Sequence, residues 1–374
     1  MKNVPVLFLF CIFVFFNCQL GREEKPESNT GDPNTEAIEK LELLIHEELN
    51  ALESDTDYTL LIKADNGRSF SHSTGDSSET SVYSSASTSK WVVSAVILLM
   101  AEKEYIDLDD FAHDYINFWP STGTLSLIKL RHLLSFTSGL TLDTFTNIKD
   151  INPSIEDQVA VIILDNTNTN PPNPGTEFYY ASAHMQVAGL MAIKALDMAL
   201  DESVTKWSDV FSWFKNQTGL FPHFQFDEPN TQTPLLAGGM HWNAREYMDF
   251  LEALYNKQII KDPYFTLMMQ DQFGTAVISN TNGSPARNYL KEDWHYGFGC
   301  WIECHESPAE FLCDKTGRVS SPGAFGAYPF IDFEHRYFGI LARQGASGSY
   351  PLGYQFFASI SSRLEQWADL NSQK

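Results

Sequence analysis

Ser87 and Lys90 lie three residues apart at the mouth of a long apolar run, in the stretch Ser87-Thr88-Ser89-Lys90. A serine hydroxyl is a poor nucleophile until a base takes its proton. On a helix, the residue three positions on lies over the same face. A lysine held against apolar walls can lose its charge and serve as that base. The spacing alone does not choose this pair, because Ser126/Lys129 and Ser203/Lys206 share it. Ser203 follows Asp201 and Glu202, so Lys206 is expected to face water. Ser126 precedes Leu127-Ile128-Lys129-Leu130 and fits a helix N-cap. Ser87 differs. Small residues precede it, and from Trp91 to Met100 almost every residue is apolar. Such a helix is buried all round rather than amphipathic. It sets the Ser87 hydroxyl at the positive end of a helix dipole and Lys90 in a dry wall.

The elements that must hold this pair come from both ends of the chain. Glu36 to Leu52 carries a helical stripe of Ile38, Leu41, Ile45, Leu49 and Leu52. Tyr58 to Lys63 is a short strand, Asp65-Asn66-Gly67 a turn, and Ser69 to Ser73 a returning strand. Strand-like runs resume at Tyr296 to Glu303, Gly326 to Phe333 and Tyr337 to Arg343, and a last helix covers Tyr354 to Leu370. Between them, Glu104 to Met269 reads as helices separated by loops. The predicted architecture is α/β of the α+β kind. Residues 36–103 and 270–374 form an antiparallel sheet domain, and residues 104–269 a helical subdomain inserted into it, the two making one catalytic unit. The short connection Phe333-Glu334-His335 argues for antiparallel strands, and a cleft between the lobes is the expected ligand site.

Composition narrows the partners. Asp plus Glu number 48 against 25 Lys plus Arg, a formal charge of −23 over 374 residues. That surface repels phosphate, so no nucleic-acid or anionic-lipid partner is expected. Lys2 and the apolar run Val4 to Phe16 read as a signal peptide over residues 1–17, too short to span a bilayer comfortably. Residues 18–35, rich in Glu, Pro, Ser, Asn and Gly, read as a flexible tether. The chain is thus expected to be exported. In an oxidising compartment Cys304 and Cys313 are the expected disulfide, closing a short hairpin. Zinc is the rival reading because His305 adjoins Cys304, but the spacing matches no familiar finger. No Gly-x-Ser-x-Gly elbow, His-Glu-x-x-His pair or phosphate-cradling glycine loop occurs. No cofactor and no metal are expected.

Several blocks in order resemble the class C β-lactamase-like serine hydrolases, which include esterases, D-amino-acid peptidases and penicillin-recognising proteins. Ser85 to Trp91 resembles the nucleophile motif, and Arg131 to Leu140 (RHLLSFTSGL) the family's HLLSHTSGL segment. Pro174 to Ser182 (PGTEFYYAS) resembles PGxxFxYSN, Ala237-Gly238-Gly239-Met240 the AGGL turn, and Tyr296-Gly297-Phe298-Gly299 the YGxG opening of the late strands. Asn17-Cys18 resembles a lipobox, with Phe15 and Asn17 departing from its strict pattern. That implies lipidation of Cys18 and a periplasmic or membrane-anchored lipoprotein of a bacterium, with the lipid as its only membrane contact.

The resemblance implies the β-lactamase/DD-peptidase fold and a set of roles. Ser87 attacks the carbonyl, Lys90 helps remove its proton, and Tyr180 shuttles protons to the leaving group. Backbone N–H groups of Ser87 and Ala324 form the oxyanion hole. Ser182, Ser321 and Gly323 face the substrate, Gly323 by letting it approach the strand closely. Two positions depart from the family. Ser182 stands where asparagine is usual, and Ser321 where lysine or histidine is usual. Loss of the cation weakens the β-lactamase and carboxypeptidase readings and fits a neutral small-molecule ester or amide better. Arg343, on the next strand, is a candidate anion anchor that nothing in the sequence places in the cleft. The leading reading is therefore a serine hydrolase acting on a small ester or amide through an acyl-enzyme. The alternatives are cell-wall peptidase or β-lactamase-type action, with a peptide among the possible substrates, and a catalytically silent binding protein.

Overall fold

A computed structural model describes residues 33–141, 154–200, 203–226, 234–278, 286–304 and 317–372. The expected signal peptide, Cys18, the tether to residue 32 and Cys313 lie outside these. Helix α1 (Pro33–Ala51) leads into β1 (Tyr58–Ala64) and β2 (Ser69–Ser73). Helix α2 (Ser89–Glu102) follows, then α3 (Ala183–Ala199) and α4 (Ala244–Tyr255) from the middle of the chain. The late strands are β3 (His295–Tyr296), β4 (Trp301–Ile302), β5 (Arg318–Ser320), β6 (Tyr328–Asp332) and β7 (Tyr337–Arg343), and α5 (Tyr350–Ser372) follows them.

These strands form one seven-stranded sheet in the order β2-β1-β7-β6-β5-β4-β3, antiparallel at every pairing. The first strand after α1 thus sits beside the last strand of the chain, Leu60 opposite Leu341 and Ile62 opposite Gly339. Gly339 has a packing reason: a Cβ there would come within 2.5 Å of the Leu61 carbonyl oxygen. α1 packs on α5, and α4 packs on β1 and β7. This is the mixed helix and antiparallel-sheet architecture expected from the sequence.

The sequence reading differs from the structure in two places along the sheet. The run Tyr296 to Glu303, read as one strand, is a hairpin: β3 and β4 pair His295 with Ile302 and Tyr296 with Trp301. The chain reverses at Gly299, whose φ is +79°. Strand β5 escaped the sequence reading because Arg318 looks like a surface residue. It is buried, and Asp332 at 3.1 Å and Glu365 at 3.0 Å hold its guanidinium.

Helix α2 lies at the centre. Every residue from Ser89 to Ala101 is buried, as its unbroken apolar run requires. It packs against α3, and Trp91 meets Phe250 of α4 edge-on at 6.3 Å. Truncating one of its core side chains, such as Leu98, to alanine is expected to cost about 2–5 kcal/mol. No described helix is long and apolar enough to cross a membrane.

Candidate active site

Ser87 occupies a tight 3-10 turn (Ala86–Thr88) that runs directly into α2. Ala86 has φ +47°, a left-handed conformation that costs a non-glycine residue on the order of 1 kcal/mol. The turn is held from several sides. The Ser85 N–H donates to Met240 O at 2.8 Å, and the Met240 N–H donates to the Ser89 hydroxyl at 3.2 Å. Trp242 Nε1 donates to Thr88 Oγ1 at 2.9 Å, and the Tyr247 hydroxyl donates to Thr88 O at 2.9 Å. Buried donors and acceptors with partners on rigid elements fix a turn in one conformation.

Lys90, one turn further, is only 2% exposed. Its Nζ donates to Ser87 Oγ at 2.9 Å and to Ala237 O at 2.8 Å, and it lies 4.6 Å from the centre of the Tyr180 ring. The Ala237-Gly238-Gly239-Met240 block is thus explained. Its carbonyls and amides grip the nucleophile turn and the lysine together.

The two other Ser-x-x-Lys pairs do not converge in this way. Ser126 is half-buried and Lys206 exposed, and Lys129 pairs with Asp109 at 3.0 Å. Ser126 is not the N-cap expected for it. It sits in a 3-10 turn (Thr124–Leu127), and its hydroxyl donates back to Gly123 O at 2.7 Å.

Tyr180 is positioned by the RHLLSFTSGL segment. The Tyr179 N–H donates to Phe136 O at 3.0 Å, and the Phe136 ring lies 5.1 Å from that of Tyr180. Tyr296 is a second phenol nearby, its ring 5.9 Å away. Burial pushes the Tyr296 hydroxyl well above its ordinary range, so it stays protonated. His184, at the start of α3, is fully buried, and its Nδ1 bonds Ala181 O at 3.1 Å. Burial, with the Lys90 charge adding to it against that hydrogen bond, pushes the imidazole down to about 3. It is neutral, and its ring packs 4.8 Å from that of Phe136 rather than serving as a base.

Ala324 lies in the turn between β5 and β6 and lines the same cleft as Ser87 and Tyr180. The turn is anchored by Gly323 N–H to Ala327 O and Gly326 N–H to Gly323 O, both 2.8 Å. Helix α5 presses on it so closely that a Cβ on Gly353 would come within 1.9 Å of Gly326 O. In the 3-10 turn the internal bonds begin at the Thr88 and Ser89 N–H groups, which leaves the Ser87 N–H ahead of the ladder.

The three residues expected to face substrate do not line the cleft. Ser321 is 2% exposed, and its hydroxyl donates to Ser87 O at 3.1 Å. Gly323 is needed by the protein itself, because a Cβ there would come within 2.7 Å of Ser85 O. Ser182 is buried at the N-cap of α3. Arg343, the candidate anion anchor, is also elsewhere. It is buried against Asp55 and lines a separate groove with Leu52 and Phe356. Cys304 is disulfide-bonded, which removes its sulfur from any metal reading, and Cys300 is free and buried.

The family model for beta-lactamase matches residues 61–350, a span containing the nucleophile turn, Tyr180 and the late strands. The chain belongs to the beta-lactamase family. No curated protein matches the sequence. Among solved structures, the chain is similar to a Bacteroides dorei DSM 17855 protein assigned as a beta-lactamase. The two share 24% identity and a TM-score of 0.69, over 87% of this chain and 99% of that one. It is also similar to EstCE1, a hydrolase with promiscuous acyltransferase activity (15% identity, TM-score 0.64, 89% and 99% covered). A third is the D-amino acid amidase of Ochrobactrum anthropi SV3 (13% identity, TM-score 0.60, 89% and 98% covered). At these identities the likeness is one of fold.

The aromatic residues of the cleft were not foreseen. Trp294, Trp301, Tyr289 and Tyr350 line it beside Ser87. Trp301 lies within the run read as one strand, and for Tyr289 and Trp294 the only signal was the density of aromatics around the Tyr296-Gly297-Phe298-Gly299 block.

Proposed function

We propose that this family member is a serine hydrolase that cleaves a small neutral ester or amide through an acyl-enzyme on Ser87. The observation that carries the reading is the 2.9 Å contact between Lys90 Nζ and Ser87 Oγ, made by a lysine almost wholly removed from solvent. Across that distance a neutral amine can take the hydroxyl proton as the oxygen attacks. The carbonyl oxygen gains the negative charge and is received by the N–H groups of Ser87 and Ala324. When the intermediate collapses, the bond to the leaving alkoxide or amine breaks, and that group takes a proton delivered by way of Tyr180. Water then attacks the Ser87 ester, the proton path runs in reverse, and the acid leaves. Lys90 and Tyr180 act as one unit, since the ammonium over the ring favours the tyrosinate when the proton moves.

Neutral substrates are favoured by the cleft lining. Among the described residues it contains no Lys, Arg, His, Asp or Glu. Among those lining residues a substrate carboxylate would find no charged partner, and Lys90 Nζ behind Ser87 is already engaged by Ser87 Oγ and Ala237 O.

The test is turnover of short-chain p-nitrophenyl esters, an anilide and a chromogenic β-lactam by the wild type and by Ser87→Ala. Ester or anilide hydrolysis lost in Ser87→Ala is the expected result. Turnover of the β-lactam alone would move the activity to the cell-wall class. Absence of all turnover would make the chain a binding protein.

A further inference from the structure

The cleft in front of Ser87 has a volume of about 210 Å³, and beyond the reacting groups its wall is aromatic. Trp301 lies 5.1 Å from Tyr180, tilted by 32°, and 6.3 Å from Trp294. Two indole rings therefore run on from the reacting tyrosine. Trp294 is pinned: its indole N–H donates to Glu292 at 2.6 Å, and Tyr354 meets its ring edge-on at 5.1 Å. At the outer edge Tyr289, 63% exposed, crosses Tyr350 at 88° with 5.6 Å between centres.

We infer that the cleft selects a substrate carrying an aryl ring beside the scissile ester or amide bond, with Trp294, Trp301 and Tyr289 as specificity-determining residues. This rests on the serine-hydrolase reading and adds the substrate class to it. Size agrees, since a dry cavity of about 150 Å³ holds a benzene molecule. The remainder leaves room for a carbonyl and a short linker. Chemistry agrees as well. Offset or edge-to-face contact between rings is favourable beyond the area it buries, and rings already locked by packing lose little freedom when a ligand arrives. A cyclohexyl group fills similar volume but has no π face, so it isolates the ring contribution.

The experiment has two readouts. Binding of phenylacetamide and cyclohexylacetamide to Ser87→Ala is measured by calorimetry. Values of kcat/KM for the wild type are compared between methyl phenylacetate and methyl cyclohexylacetate, and between benzyl acetate and cyclohexylmethyl acetate. Expected are about tenfold tighter binding of the aryl amide and a similar aryl preference in at least one ester pair. Both preferences should fall toward unity in Trp294→Leu and in Tyr289→Ala, the latter an exposed position whose loss leaves the core intact. Equal binding of aryl and cyclohexyl ligands, or a preference indifferent to both variants, would overturn the inference. Because Ser87→Ala cannot be acylated, its ligand preference is independent of the chemistry. Aryl-selective binding without any wild-type turnover would sink the hydrolase reading and keep the ring site; turnover without ring preference would do the reverse.

Discussion

The hydroxyl of Ser321 donates to the backbone carbonyl of Ser87 at 3.1 Å, joining the end of strand β5 to the nucleophile turn. One residue further, Pro322 lines the cleft, and then Gly323 lies so close to Ser85 O that a Cβ would come within 2.7 Å of it. The strand segment is thus a brace for the turn. Ser321, expected to face substrate, instead holds the Ser87 turn in place.

Gly323→Ala tests the brace. Its Cβ would meet a backbone oxygen at 2.7 Å and the Thr88 methyl at 3.2 Å, so the turn must shift. A loss of about 1–3 kcal/mol in stability is expected, with kcat reduced about tenfold to a hundredfold by displacement of Ser87. Denaturant unfolding and initial rates check both. Ser321→Ala removes the hydrogen bond without the clash and should lower kcat less than Gly323→Ala does.

Tyr180→Phe keeps the ring against Phe136, Trp301 and Lys90 Nζ and removes only the hydroxyl. Activity should fall about 10²–10⁴-fold, with stability changed by no more than about 1 kcal/mol. Lys90→Arg should not restore what Lys90→Ala loses, because a guanidinium cannot give up its proton. Steady-state kinetics beside thermal unfolding separate the two effects.

What the sequence made legible depended on local pattern. The choice of Ser87/Lys90 over Ser126/Lys129 and Ser203/Lys206 followed from neighbours: acids beside Ser203, an expected helix N-cap at Ser126, which the structure replaces with a 3-10 turn, and an unbroken apolar helix behind Ser87. Strand β5 was hidden because Arg318 is buried by long-range pairing with Asp332 and Glu365, which no local periodicity can reveal. Ser321 and Gly323 were assigned to the substrate because their motif carried that role, whereas their contacts run inward to Ser87 and Ser85. Tyr289, Trp294 and Trp301 of the cleft lie close together in the chain, but Tyr350 is brought to them from the start of α5, a juxtaposition that local pattern does not reveal.

Acid should destabilise the fold. His184 is held down to about 3 and His132 to about 4, in both cases chiefly by burial. Unfolded histidines titrate near 6.5, so below that pH the unfolded chain binds protons the native state refuses. Stability contributed by these residues is therefore intact above about pH 6.5 and is lost as pH falls below it. The loss is at most about 1.4 kcal/mol per pH unit per histidine, less for the partly exposed His132. Urea midpoints at pH 7.5 and 5.0 check the slope. His184→Gln should flatten it, although the lowered carboxylates Glu42 and Asp109 add a loss at still lower pH.

We further propose that the mature chain begins at Cys18 and carries lipid there. Mass spectrometry of the protein recovered from a bacterial envelope should show a diacylglycerol-modified N-terminal peptide. A free Cys18 would leave a conventional exported protein.

The most direct measurement is the intact mass of the protein after brief reaction with a fluorophosphonate, followed by peptide mapping. Displacement of fluoride by Ser87 Oγ should add one phosphonyl group, mapped to the peptide containing Ser87, with no addition in Ser87→Ala. Labelling elsewhere, or equal labelling of Ser87→Ala, would contradict Ser87 as the nucleophile.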